Sequence, residues 1–183
     1  MKLPDKKTWA LKALAKSIAY ADAGVSRTSD PAQVGRFDAF FGLSLKDPFC
    51  AAEAFFCVAV SLAELIGDAM DMETLESLKP IIAAHFLTPT ASCGEILADA
   101  KVRGVWLSVD AIGDNQDILP GWWVLYNWHG GDAPEHVGMV EHDQGDVIAD
   151  VEANTSSASN ANGGTCAHKD RDWSCVLGFV RTY

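Results

Sequence analysis

Clusters of basic residues, long apolar runs and a regular cysteine framework are all missing from this sequence of 183 residues. The net charge of −11 argues against nucleic acid or an anionic membrane as the main partner, because both are bound through clustered Lys and Arg. No stretch approaches the ~18 apolar residues of a membrane span. Residues 1–7 show no apolar core or cleavage site of a signal peptide. We therefore expect neither a membrane protein nor a nucleic-acid-binding protein, and synthesis in the cytoplasm without a signal peptide.

The five cysteines are an odd number without a repeating spacing, which excludes a disulfide framework. A bridge between Cys166 and Cys175 across a short loop is left open. The length predicts one domain over residues 1–183, enough to bury about two-thirds of the unfolded surface in a single core. We expect a monomer that needs no cofactor.

The first half of the chain has helical periodicity, and the second half changes to strand-like patterns after Gly104. This predicts a helical part over about 1–104 and a β-sheet part over about 105–183. The predicted helices cover 5–23, a segment from about 31, 51–66, 73–86 with a break at Pro80, and 90–102. The predicted strands cover 122–128, 136–142, 146–152 and 175–181.

Cys50 lies at the start of the most apolar predicted helix. Asp47 is a good N-cap and Pro48 suits the first turn, so Cys50 is expected near the unpaired N–H groups and the positive end of the helix dipole. That position favours a thiolate. Cys50 could equally be a small buried core residue, because a thiol becomes a catalytic site only with a base beside it.

A candidate base lies on the predicted hairpin. A three-residue turn at 143–145 would place His136 directly opposite Glu152, with Asn154 one diagonal step further along the same face. An imidazole with a carboxylate and an amide beside it is the arrangement of a general base with an orienting group. The alternative is an exposed hairpin on which His136 and Glu152 merely offset each other.

Taken together, these segments resemble the CHAP-type peptidoglycan hydrolases, which belong to the papain-like group that includes the NlpC/P60 enzymes. The similarity runs from about residue 15 to the C-terminus. It is carried by the segments 48–52 (PFCAA), 120–125 (PGWWVL), 136–141 (HVGMVE), 151–155 (VEANT), 163–164 (GG) and 178–181 (GFVR). Phe49 stands where relatives often have Trp, and Trp122 where Asp is common. Only Asp47 and Asp38 lie near the cysteine where some relatives bind calcium, so no metal is expected.

The resemblance implies an α+β, papain-like fold, in which the helix that carries the nucleophile packs on an antiparallel sheet. It implies Cys50 as nucleophile and His136 as general base, with Glu152 or Asn154 as the residue that orients the histidine. The implied substrate is the peptide of bacterial peptidoglycan, cut at the muramoyl–alanine amide or within the stem or cross-bridge. Trp122 and Trp128 could line a substrate groove, although aromatic strand residues are more often core.

Two other functions remain open at this point. A zinc amidase could use His129, His136, His142 and Cys175, because imidazole and thiolate suit zinc. A catalytically inactive module of the same fold could serve as a binding unit or a phage structural piece. The setting is equally open: a phage endolysin, a virion-carried enzyme, or a secreted toxin with an immunity partner would each act on the cell wall after release or delivery.

Overall fold

The computed structural model describes residues 2–113, 117–156 and 163–183. In these residues, helices come first and strands follow. The helices are α1 (Lys6–Asp22), α2 (Pro31–Ala39), α3 (Cys50–Ile66), α4 (Met72–Ser77), α5 (Lys79–His85) and α6 (Cys93–Val102). The strands are β1 (Trp106–Ser108), β2 (Trp123–Tyr126), β3 (His136–Asp143), β4 (Val147–Thr155), β5 (Thr165–Asp172) and β6 (Val176–Val180). None of the helices described is long and apolar enough to cross a membrane.

The strands form one antiparallel sheet with the order β1-β6-β2-β3-β4-β5. Helix α3 packs against β3 and β4, and α1 packs against α3 and β5. The predicted α+β class, with the helix of Cys50 on an antiparallel sheet, is confirmed.

Helix α3 is the centre of the core. Every residue from Cys50 to Ala63 is buried, as its apolar sequence predicts. Phe55 meets Trp123 of β2 edge to face, with ring centroids 4.9 Å apart. Burying an aromatic side chain of this kind contributes about 2–3 kcal/mol. The helix ends at Gly67, whose φ of 74° is in the left-handed region that glycine adopts at low cost.

The start of α3 differs from the prediction in one respect. Phe49, not Asp47, is the N-cap, and the Asp47 carboxylate instead accepts a 2.8 Å hydrogen bond from the Ser44 backbone N–H. The Asp47 cap was therefore wrong, although Cys50 does lie in the first turn. The break predicted at Pro80 is confirmed, since α4 ends before it and α5 begins at Lys79.

The hairpin turn is shorter than predicted. The backbone N–H of Gln144 donates a 3.0 Å hydrogen bond to the carbonyl of Val147, which closes a two-residue turn over 145–146. Gly145 has a φ of 88°, a conformation that such turns require. The three-residue turn at 143–145 was therefore wrong, and every strand pairing counted from it shifts.

A bulge between Val140 and His142 shifts the pairing again. As a result, Glu152 pairs with Gly138. The prediction that Glu152 lies directly opposite His136 was therefore wrong by two residues. His136 is still the diagonal neighbour of Glu152 on the same face of the sheet, and long side chains can meet across such a diagonal.

Strand β5 was not predicted. Its sequence, TCAHKDRD, is dominated by charged residues and has no apolar alternation, so it gives no strand signal. It pairs with β4 along most of its length. The short strand β1 was not predicted either. The other four strands were predicted, but β2 and β6 are shorter than 122–128 and 175–181.

The two faces of the sheet carry different side chains. Val137, Met139 and Val151 pack in the same cluster as the helices. Val140 and Ile148 belong to a second cluster on the opposite face. Because side chains alternate along a strand, the even-numbered residues of β3 up to Val140 share that second face with the residues they pair with on β4, Asp150 and Glu152. His136 begins β3, at an end of the sheet.

Candidate active site

Cys50 is held at the first position of α3 with its side chain almost closed to solvent. The residue is 5% exposed. The backbone N–H of Ala51 donates a hydrogen bond to the sulfur, and the positive end of the helix dipole points at it. Local sequence thus places a thiol where negative charge is stabilised.

Arg27 fixes the loop that leads into this cysteine. Its guanidinium lies 4.8 Å from the centre of the Phe49 ring and donates to the Asp47 carbonyl. It also donates to Oδ2 of buried Asp38 at 3.3 Å. The pKa of Asp38 is raised by burial, and the charge of Arg27 opposes that rise. Arg27 therefore bonds to both acidic residues before the cysteine, to the backbone of Asp47 and to the side chain of Asp38.

The structure places the Cys50 thiol and the His136 ring close enough for each to shift the pKa of the other. The pKa of the Cys50 thiol lies well below its usual value. The largest cause is a hydrogen bond from Cys93; the charge of His136 and a hydrogen bond with it also lower the pKa, while burial opposes the shift. The pKa of His136 is raised to about 10: burial disfavours the charged ring, but Cys50 and Glu152 outweigh it. Both shifts favour a thiolate beside an imidazolium.

Glu152 fixes the ring of His136. Nε2–H of His136 donates a 3.0 Å hydrogen bond to Oε2 of Glu152. This leaves Nδ1 for the thiol. Both residues are buried, at 3% and 1% exposure. The carboxylate therefore sets the tautomer and stabilises the imidazolium.

Arg171 is the residue of the site that the sequence did not reveal. Its Nε donates to Oε1 of Glu152 and its Nη2 to Oε2, each at 2.6 Å, and Nη2 also reaches Oγ1 of Thr155 at 3.1 Å. The pKa of Glu152 falls to about 2 because hydrogen bonds from Arg171 and His136 outweigh burial. One signal could have found Arg171: a carboxylate expected to be buried requires a cation nearby.

Asn154 is the other predicted orienting residue, and it lies on β4 two residues after Glu152. It is 5% exposed, and among the described residues its side chain makes no hydrogen bond to His136. Its φ of 55° is in the left-handed region, at an irregularity in the β4–β5 pairing. The predicted diagonal position of Asn154 assumed a regular strand and was wrong.

A second buried carboxylate lies next to Glu152 on β4. Oδ2 of Asp150 accepts a 3.0 Å hydrogen bond from the Tyr126 hydroxyl, while Oδ1 has no partner among the described residues. A Cβ at Gly138 would lie 1.8 Å from Oδ2, so only glycine fits there. Burial and the charge of Glu152 hold the pKa of Asp150 well above its usual value. This shift favours the protonated carboxyl group.

Similarity to known proteins is limited to a solved structure. No protein-family model and no curated protein matches it. Among solved structures, this chain is similar to the crystal structure of Ly7917 with the hydrolyzing product of MDP, with 16% sequence identity and a TM-score of 0.45. The aligned region covers 94% of this chain and 62% of the Ly7917 chain.

The two predicted substrate-binding tryptophans occupy different places. Trp128 is half-buried beside the site: its ring centre lies 5.5 Å from that of His136, and the Arg171 guanidinium lies 5.2 Å from it. Trp122 is 4% exposed and packs in the second apolar cluster, with Val140 as a neighbour. Its position is that of a core residue, and a substrate-binding role for Trp122 or Trp128 stays a prediction.

The side chains predicted for a zinc site do not form a cluster in the described part of the chain. His129 Nδ1 lies 2.6 Å from a carboxylate oxygen of Glu135, and Cys175 donates to the carbonyl of Asp172. His142 is exposed near the hairpin turn, away from buried His136. Residues 2–113, 117–156 and 163–183 contain no group of three or more metal-binding side chains. The open question of a Cys166–Cys175 bridge is answered by two free thiols.

Proposed function

We propose that this chain is a cysteine-dependent peptidoglycan hydrolase that cleaves an amide bond in the peptide of the bacterial cell wall. One observation carries the proposal: a thiol at a helix start lies beside an imidazole that is held by a buried carboxylate. This set of groups suits acyl transfer through a thioester. The choice of a wall peptide as substrate rests on the motifs that resemble CHAP-type hydrolases.

The chemistry assigned to each group follows from its position. The Cys50 thiolate attacks the amide carbonyl and forms a tetrahedral oxyanion, which the backbone N–H of Cys50 can stabilise at the helix start. Protonated His136 then gives its proton to the leaving amine, and the C–N bond breaks. Neutral His136 next takes a proton from water, which attacks the thioester and releases the carboxylate product and the Cys50 thiol.

Glu152 is the orienting residue of this scheme. Its hydrogen bond to Nε2 keeps Nδ1 of His136 directed at the thiol and stabilises the charged ring. Arg171 acts through Glu152 and is a positioning residue. Asn154 has no such contact, so we assign the role to Glu152 alone.

Substitution of two cysteines on the same helix tests the proposal. Cys50→Ala should abolish the release of new amino groups from purified peptidoglycan. Cys57→Ala is the matched control, because Cys57 is buried about two turns further along α3 and bonds to Glu53. This control should keep the activity. Full activity of Cys50→Ala would contradict the proposal.

The bond that is cut defines the enzyme class. An N-acetylmuramoyl-L-alanine amidase would release intact stem peptides from the glycan, and an endopeptidase would release shortened peptides. Mass spectrometry of peptidoglycan digested by the wild-type protein separates the two. The net charge of −11 gives no attraction to an anionic wall, so we further propose that delivery or a partner protein brings the enzyme to it.

A catalytically inactive wall-binding module is the second candidate, and one observation favours it. Cys50 and His136 are only 5% and 3% exposed, so a substrate must enter a narrow opening to reach the sulfur. Sedimentation of the wild-type protein with insoluble peptidoglycan, without release of amino groups or soluble fragments, would support this candidate. Release that depends on Cys50 would exclude it.

A further inference from the structure

Cys50 has a second thiol beside it. Its sulfur lies 3.9 Å from that of Cys93, a residue 43 positions later in the chain. Each cysteine is the first residue of its helix, Cys50 of α3 and Cys93 of α6. The two helix starts therefore converge on one pair of sulfurs, which both helix dipoles favour in the negatively charged state.

The other three cysteines have different environments. Cys57 donates a 3.0 Å hydrogen bond to a carboxylate oxygen of Glu53, and Cys175 donates a 3.0 Å hydrogen bond to a backbone carbonyl. Burial raises the pKa of Cys57 well above the usual value, and it also raises the pKa of Cys166 and Cys175. Among the described residues, Cys50 and Cys93 are the pair of sulfurs in mutual hydrogen-bond contact.

We propose that Cys50 and Cys93 form a peroxide-sensitive thiol pair that closes into a disulfide and blocks the nucleophile. The Cys50 thiolate attacks hydrogen peroxide and the O–O bond breaks, so that Cys50 becomes a sulfenic acid. The leaving hydroxide takes the proton of protonated His136 and departs as water. The Cys93 thiol then attacks the sulfenic sulfur, an S–S bond forms, and a second water leaves. Two electrons pass from the two sulfurs to the peroxide, so atoms and electrons balance.

The distance between the sulfurs suits this step. A disulfide bond is about 2.05 Å long, so the two sulfurs must approach by roughly 2 Å, which rotation of two contacting side chains can provide. The low pKa of Cys50 keeps it as the reactive thiolate, and Cys93, whose pKa is raised by its bond to that thiolate and by burial, remains the thiol. Hydrogen peroxide is also smaller than any peptide substrate that must reach Cys50.

The disulfide is independent of what the enzyme hydrolyses, whereas its effect on activity rests on the proposed function. Peptide mapping therefore tests the disulfide even if the proposed function fails. Trypsin alone leaves Cys50, Cys57 and Cys93 in one peptide, 47–101, because Lys79 precedes proline. Added cleavage after glutamate separates them into 47–53, 54–64 and 77–95.

The experiment treats the folded wild-type protein with hydrogen peroxide, alkylates free thiols under denaturing conditions, and maps these peptides by mass spectrometry. We expect 47–53 joined to 77–95, two hydrogens lighter than the sum of both, with 54–64 alkylated. Dithiothreitol should separate the joined peptides. Cys50 recovered as a free thiol, as a sulfinic acid, or joined to another cysteine would overturn the proposal.

Two variants complete the test. In Cys93→Ala, Cys50 has no resolving thiol and should proceed to the sulfinic acid, so activity lost to peroxide should not return with dithiothreitol. Cys57→Ala should behave like the wild type in both respects. Each variant is compared with its own activity before oxidation. Full recovery of oxidised Cys93→Ala with dithiothreitol would contradict a role for Cys93.

Discussion

Arg171 holds the Glu152 carboxylate through two parallel hydrogen bonds, from Nε to Oε1 and from Nη2 to Oε2, both 2.6 Å long. The same carboxylate accepts the hydrogen bond of His136. One buried negative charge is thus shared by a permanent cation and the proposed general base. This sharing keeps Glu152 ionised and limits how far its charge raises the pKa of the histidine.

Arg171→Met should destabilise the protein strongly. Removal of one partner from a buried ion pair leaves an uncompensated charge, which costs about 3–5 kcal/mol in the free energy of unfolding. Denaturant unfolding at neutral pH measures this loss. Lys12→Met is the control, because its partner Glu64 lies nearer the surface and keeps Lys16; it should cost less than about 1 kcal/mol. Equal effects of the two substitutions would disprove the importance of the buried pair.

Glu152→Gln should lower activity far more than Asn154→Ala. Glutamine cannot stabilise the imidazolium, and loss of this orienting charge should reduce kcat by between about 10² and 10⁴. Asn154→Ala removes no hydrogen bond to His136 and should cost less than about tenfold, or under ~1.4 kcal/mol. Steady-state rates of the two variants and the wild-type protein on solubilised peptidoglycan measure this difference. The reverse order of the two effects would assign the orienting role to Asn154.

Much of the fold was readable from local sequence, but the site was only partly so. The helices have clear apolar periodicity, and the helical segments predicted from it are confirmed. The hairpin register was not readable, because the bulge near Glu141 inserts one residue without a sequence signal. The histidine and the carboxylate still meet, since long side chains reach a diagonal neighbour as well as a direct one.

The elements that were not predicted are those that form through contacts with residues distant in the sequence. β5 is charged along its length and is stabilised as a strand by pairing with β4. Arg171 of β5 was missed for that reason, although it completes the charge of the site. Cys93 was likewise unremarkable in sequence, because only tertiary packing brings it to Cys50.

Cys50 should react with iodoacetamide even in mildly acidic solution. Its pKa lies well below the usual value, so the thiolate persists as the pH falls below neutral. In His136→Gln one source of this stabilisation is lost, and the rate at pH 7 should fall by up to about thirtyfold, towards that of a thiol with a pKa of ~8.5. Alkylation of peptide 47–53, followed by mass spectrometry over a range of pH, measures this. Identical pH profiles in the two proteins would show that His136 does not activate the thiol.

Asp150→Asn should remove a pH dependence of stability. The pKa of Asp150 is raised in the folded state, so its stabilising contribution is complete below the unfolded pKa of ~3.8 and is lost as the pH rises through the folded value. Asparagine has no such titration, so stability should decline less with rising pH than in the wild type. Denaturant unfolding between about pH 5 and pH 9 tests this slope.

The control for Asp150→Asn is Asp132→Asn, at an exposed loop position. It should leave the slope of stability against pH unchanged. A wild-type slope in Asp150→Asn, with only a constant loss of stability, would mean that Asp150 does not take up a proton on folding.

Covalent trapping tests the proposed nucleophile most directly. The wild-type protein is mixed with solubilised peptidoglycan fragments, quenched in acid within one turnover, and mapped by mass spectrometry after acidic digestion. We predict an acyl group on Cys50 as a thioester in the wild-type protein. We predict no acyl group in Cys50→Ser, and little acyl-enzyme in His136→Gln under the same conditions. An acyl group on another residue, or turnover by Cys50→Ala with no acyl intermediate, would contradict the account.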